Sequence, residues 1–227
     1  MRLYFVEFAN FDSQASFNNQ LDANGYKQGG LGSGVTNTSS NAGNNFNNRN
    51  PFIPCGITVV LGNDSGVISY VFSTGEYSSD TSYTTYVNSY RGVELPFGHI
   101  WKFIDGFNRQ GGSDGTEKIY VCNDISKFAE NDASGYTMLS NTAARPTGNI
   151  GGIVLNEQGT FWPKPGGSTI YGDYLYNAYK NNTWYTLCAG CCADGDAYAG
   201  LLCFYAPSGA GEAYESIGSR LLYTIND

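Results

Sequence analysis

The feature that most constrains this chain is how its apolar residues are parcelled. They come in short bursts rich in β-branched and aromatic residues, and each burst ends at glycine, asparagine or aspartate. "ITVVLG", "GVISYVFS" and "SYTTYVNSY" follow one another between residues 57 and 90, with tight-turn sequences such as "GNDSG" between them. Runs of this length and composition predict short strands, paired antiparallel by tight turns. "KIYVCND", "GYTMLSN", "GNIGGIVLNEQGTFWP", "TIYGDYLYNAY" and "TWYTLCAG" extend the pattern through residue 190, and "SIGSRLLY" closes it as a buried strand.

Composition agrees. Only 14% of the 227 residues are charged, 15% are aromatic, and there are 30 glycines and 18 tyrosines. The aromatics supply a core, which separates the chain from disordered sequences. Alanine, leucine, glutamate and lysine do not dominate, so long helices are not expected. Two short helices are. "DSQASFNNQLDANGY" offers Asp12 as N-cap, apolar Ala15, Phe17 and Leu21 inside, and Gly25 as a stop, while "DISKFAEN" is capped by Asp124 or Ser126. Eight or more short strands with a few short helices give an α+β class with antiparallel sheet.

Residues 29–50, "GGLGSGVTNTSSNAGNNFNNRN", are almost entirely Gly, Asn, Ser and Thr. They read as a long exposed loop that buries no core of its own. The chain thus divides into an N-terminal segment, 1–50, for attachment or oligomerisation, and a main domain, 51–227. In "FGHIWKFIDG" the closely spaced apolar residues read as a strand or short helix that enters the core and stops at Gly106.

The formal net charge is −8 with 12 Lys plus Arg and no basic cluster, which argues against binding nucleic acid through phosphates. No apolar run approaches the roughly 18 residues needed to span a membrane. "MRLYFVEFANF" is too short and too polar to read as a signal peptide, so a location outside the cell implies another route, such as virion assembly.

The six cysteines, Cys55, Cys122, Cys188, Cys191, Cys192 and Cys203, lack the dense spacing of a small disulfide framework. They read mainly as free thiols, with one disulfide among the last four left open. "CAGCC" holds a Cys-x-x-Cys without a second pair at zinc spacing, and "DGD" at 194–196 lacks the longer oxygen ladder of a calcium loop. No metal or other cofactor is assigned. His99 is the one histidine; it reads as structural, and no pair among the acids is singled out for catalysis.

Two segments carry a resemblance. In "FGHIWKFIDG", Gly98, Ile100, Trp101, Phe103 and Asp105 are similar to the Gly-x-Val-Trp-Glu-Trp segment of the formylglycine-generating-enzyme branch of the C-type lectin fold. In "SIGSRLLY", Gly218, Arg220 and Leu221 are similar to its C-terminal Gly-Phe-Arg-Leu strand. "AYAGLLCFYAPSGAGEAYESIGSRLL" more closely resembles the variable region of phage major tropism determinants and diversity-generating-retroelement variable proteins. "NPFIPCG" and "YRGVELPFGHIWKFIDG" resemble segments of phage and prophage proteins of gut Bacteroidales.

The resemblance implies a C-type lectin-like domain over residues 51–227 and a non-enzymatic binding protein on a virion surface or otherwise extracellular. Its ligand would be a bacterial surface protein or glycan, and its other partners virion proteins. By analogy with virion fibres it would form a homotrimer. The display surface would carry Asp194, Asp196, Tyr198, Tyr205, Glu212, Tyr214 and Glu215. Tyrosine suits such a surface, because it offers large contact area, a hydroxyl and little rotamer entropy to lose. Two alternatives are a head or tail decoration protein and a copper oxidase like the formylglycine-generating enzymes, using C-terminal cysteines. The Arg-Gly-Gly-Ser run of those enzymes is missing here.

Overall fold

The computed structural model describes residues 2–38, 52–73, 82–112, 116–142, 147–155, 161–166, 173–176, 183–205, 209–214 and 216–219. Among them are twelve strands in two sheets. The small sheet joins β1 (Gly66–Ser73), β2 (Ser82–Tyr90) and β3 (Val93–Glu94) in that order. The large sheet has nine. Its path begins with β6 (Thr137–Thr142), β5 (Glu117–Val121) and β4 (Trp101–Gly111), and continues through β10 (Trp184–Gly190) and β11 (Gly200–Tyr205). It ends with β9 (Tyr174–Tyr176), β7 (Gly148–Leu155) and β8 (Phe161–Pro165). β12 (Ile217–Gly218) lies off this path, parallel to Trp101–Lys102 of β4.

The expected α+β, C-type lectin-like class is therefore corrected to a predominantly β architecture. Among the described residues the α-helical content is α1 (Arg2–Phe8), with three short 3-10 turns besides. The segment from Asp12 to Gly25 is not a helix, for a local reason. Asn10, Asp12, Asn18 and Asp22 each accept, on a side-chain oxygen, the backbone N–H two residues on. Side chains that capture backbone donors this way close turns and compete with the helix ladder. "ITVVL" likewise is a 3-10 turn, not a strand. The Glu94 carboxylate takes the N–H groups of Gly56 and Thr58 at 2.9 and 2.6 Å and the Thr58 hydroxyl at 2.8 Å, which fixes that turn's start. Asp124 caps the predicted 124–131 element, but it amounts to one 3-10 turn, Ile125–Lys127.

The glycine-rich stretch was expected to be exposed from residue 29. Its described part runs to Thr38, and Leu31, Val35, Thr36 and Thr38 are buried. Close backbone approach explains the glycines. A Cβ on Gly30 would meet three carbonyl oxygens, those of Asp12, Ser13 and Ala15, at 2.7–2.8 Å. Tyr4, Phe8 and Leu31 then share a core cluster with Tyr90, Phe97 and Leu201. The main core lies on the large sheet, where Phe107, Trp162 and Phe204 stack beside Ile119, Ile150, Leu175 and Leu187.

Two buried polar groups tie distant segments together. Asp173 is fully buried; it accepts from the Ser13 hydroxyl at 2.9 Å and from the Leu202 N–H at 2.6 Å, while the Ser13 oxygen accepts from the Leu201 N–H at 2.8 Å. The second is the ion pair of Arg109 on β4 with Glu117 on β5, both buried, the guanidinium lying 4.7 Å from the Tyr185 ring centroid.

Burial raises the Asp173 carboxyl from 3.8 to about 7, against the opposing hydrogen bonds from Leu202 and Ser13. Between those values the folded chain keeps a proton that the unfolded chain has released, so stability falls as pH rises from about 4 to about 7. Asp173→Asn flattens this fall. Denaturation midpoints of both proteins across that range check it, and parallel profiles would refute it. Arg109→Met removes the buried charge paired with Glu117 and costs about 3–5 kcal/mol in chemical denaturation, most of it recovered in Arg109→Met/Glu117→Leu.

Candidate functional site

The two segments that carried the resemblance lie side by side. The Trp101 N–H donates to the Ser216 carbonyl at 2.7 Å, and Ile217 and Gly218 pair with Trp101 and Lys102. Gly218 leaves room there for Ile100, whose Cδ1 would lie 2.7 Å from a Cβ. Arg220 and Leu221 lie outside the described residues, as does Glu215.

Around this junction the structure gathers most of the expected contact residues. Tyr205, at the end of β11, stacks on Trp101 with centroids 5.0 Å apart. It is half-buried, and burial, with the neighbouring Cys188, Cys192 and Glu212, raises its hydroxyl above the ordinary tyrosine value. Tyr205 is thus as much scaffold as contact. Tyr214 is 54% exposed and its hydroxyl donates to Glu212, which raises it as well. Asp194 is exposed and accepts from the Cys192 thiol at 3.0 Å. Cys192 and Glu212 thus act electrostatically on Tyr205, and Glu212 on Tyr214.

Asp196 and Tyr198 stand in a 3-10 turn, Asp196–Tyr198, leading into β11. Tyr198 is 48% exposed and meets Tyr174 of β9 edge-on at 4.8 Å. The N-terminal segment buttresses this turn. Gln14 donates to the Asp196 and Ala199 carbonyls at 2.7 and 2.8 Å, the Asp196 N–H donates to Thr36, and Thr38 donates to Ala193. An acidic, tyrosine-bearing loop is held on a rigid base, the arrangement in which loops carry recognition.

Beneath it lies a thiol cluster. Cys188, Cys191 and Cys203 are buried with Trp101 and Ala199, and Cys192 packs beside them. All six cysteines are free. Burial pushes the Cys188 thiol up to about 12. Cys191 is lowered by its contact with Cys192, but the Cys203 contact and burial together carry it upward, and Cys192 is raised by Cys191, by burial and by Asp194. Thiols held protonated are poor nucleophiles and poor ligands. Among the described residues no set of three or more His, Cys, Asp and Glu side chains is arranged to hold a metal ion.

One feature was not foreseen. β4 does not stop at Gly106 but continues to Gly111, with a break in its pairing. Thr186 pairs with Asn108 while the next residue, Leu187, pairs with Ile104, so Asp105, Gly106 and Phe107 bulge from the ladder. A cleft of about 430 Å³ sits on this bulge, floored by residues 103–108 and roofed by residues 125–136, with Ala210 and Ser219 at one side. Asn108 is buried and donates to the Ala129 and Asp132 carbonyls at 2.7 and 2.8 Å, which pins the roof. Gly106 has φ +73, and a Cβ there would meet the Phe128 ring at 2.7 Å. Only glycine lets that ring close over the floor. The sequence signal was the glycine itself, placed mid-strand, where it marks a bulge as readily as a stop. A second cleft of about 390 Å³ opens across Ser219, lined by Cys55, His99 and Lys102.

The thiols give a direct check. Cys55 is exposed while Cys188, Cys191 and Cys203 are buried, so Ellman's reagent modifies Cys55 in a fast phase that Cys55→Ser removes. The three buried thiols react only on unfolding. Rapid modification of three or more thiols in the folded Cys55→Ser protein, where only Cys122 and Cys192 are partly exposed, would show the cluster to be open.

Comparison with protein-family models, with curated proteins and with solved structures finds no match to this chain. Among the described residues no helix is long and apolar enough to cross a membrane.

Proposed function

We propose that this chain is a non-enzymatic binding protein whose ligand face is the acidic, tyrosine-bearing surface around β11 and the residue 209–214 loop. The observation that carries the reading is the pairing of exposure with support. Tyr198 and Tyr214 are about half exposed on irregular backbone, while the strand between them, Gly200–Tyr205, is buried and bonded on both edges. Large amphipathic side chains on a pre-ordered base lose little entropy on binding. The acids Asp194, Asp196 and Glu212 add negative charge to the same face, favouring a ligand with positive or hydrogen-donating groups.

The resemblance to variable proteins of diversity-generating retroelements directs the reading to a bacterial cell-surface ligand, met from a virion. Repeated copies on one particle would gain by avidity, so each chain need not bind tightly. A second reading, a structural protein that binds only other virion proteins, is favoured by apolar exposure at the small sheet. Val59 and Val60 are 73% and 76% exposed in the 3-10 turn beside the small sheet, and Val71 and Tyr86 are exposed on that sheet.

Labelled protein is expected to bind cells of some members of a panel of gut Bacteroidales, and Tyr198→Ala/Tyr214→Ala to lose that binding with its melting temperature unchanged. Retained binding by the double variant would move the ligand face elsewhere. Failure of the wild-type protein to bind any cell would favour the structural reading.

A further inference from the structure

We infer that the cleft on the β4 bulge is a binding site for an alkylammonium ion, a cationic nitrogen carried on a short apolar body. The site adjoins the tyrosine surface at Ala210 but is lined by neither Tyr198 nor Tyr214.

The walls set the chemistry. Phe128 and Tyr136 bring aromatic surface to the cleft and Ile125 adds aliphatic surface, while Phe103 and Ile104 line it and also pack against the thiol cluster and the main core. Phe107 contributes floor only, because its ring stacks on Trp162 in the core at 5.2 Å. Asp105 and Glu130, both exposed, are the charged residues that line the cleft, and no lysine, arginine or histidine stands among its described lining residues. The nearest base along the roof, Lys127, is held by Asp124 at 3.0 Å. A neutral apolar guest would leave the two carboxylates unused, and an anion would be repelled by them. A cation on an apolar stem satisfies both kinds of wall, through the aromatic quadrupoles and through the acids. The volume of about 430 Å³ lies within the range of small-molecule sites, at about 300–1,000 Å³.

The site is built rather than incidental. Asp105 reaches the rim because the bulge takes it out of the β10 ladder. Phe128 reaches the floor because residue 106 is glycine. Tyr136 is fixed because its hydroxyl donates to the Ala129 carbonyl and accepts the Ala129 N–H, both at 3.1 Å. Sequence-distant residues are thus held around one hollow before any guest arrives, which lowers the ordering cost of binding.

The test uses the full chain at low ionic strength and three probes: choline, n-butylamine and dimethylbutanol, the neutral carbon isostere of choline. Binding is read by calorimetry and by shifts of the aromatic ring resonances. Choline and butylamine are expected to saturate at about millimolar concentration, and the neutral isostere to bind about tenfold more weakly or not at all. Asp105→Asn/Glu130→Gln, at two exposed positions, is expected to weaken both amines about tenfold, as raised salt does. Phe128→Leu separates the two sources of cation, since it weakens the quaternary ion more than the primary one if the aromatic walls dominate. Equal affinity for choline and its isostere, unchanged binding by the two-acid variant, or no saturation by either amine would each overturn the assignment. Tyr198→Ala/Tyr214→Ala should bind the amines as the wild type does, so failure of this site and failure of the tyrosine surface are told apart.

Discussion

The structure depends first on one buried carboxylate. Asp173 enters the interior where three segments meet: the turn after α1, the start of β9 and the first half of β11. A buried acid is costly unless its oxygens are engaged, and here Ser13 and the Leu202 N–H engage both of them. The same constraint explains Gly200, where a Cβ would lie 1.9 Å from an Asp173 oxygen. With β11 held from beneath in this way, the residues on either side of it can be irregular without being loose.

That arrangement changes the meaning of the N-terminal segment. Its sequence reads as an attachment arm, and composition alone supports no more, because Gly, Asn and Ser carry little burial signal. In three dimensions Gln14, Thr36 and Thr38 hold the carbonyls and amides of residues 193–199, and Leu31 joins the aromatic cluster of α1. Small residues here serve close backbone packing. Part of the surface proposed for recognition is therefore held by residues about 160–180 positions away in sequence.

Much of the sheet was legible because its strands carry the period-two and β-branched signals directly. "GVISYVFS", "SYTTYVNSY" and "TWYTLCAG" fall on β1, β2 and β10. The misses have specific causes. Residues 12–25 have helix-like apolar spacing, but their asparagines and aspartates spend the backbone donors on turns. "ITVVL" has strand composition, but Glu94, more than thirty residues on, pins it as a 3-10 turn. Of the expected contact residues, Tyr198 and Tyr214 are about half exposed, while Tyr205 is half committed to Trp101, a pairing that no local pattern encodes. The cleft was not legible at all, because a bulge is a relation between two strands and appears only once β10 is laid beside β4.

That bulge has a consequence for how such a molecule can change over generations. Thr186 and Leu187 are adjacent on β10, and their partners, Asn108 and Ile104, would also be adjacent if residues 105–107 were removed. From the side of β10 the ladder is complete without the three, while on the other edge Phe107 still pairs with Val121 of β5, so the recess is an addition on one edge of β4 only. Features inserted in this manner can lengthen, shorten or change their lining while the register of the strand they bulge from is inherited unaltered.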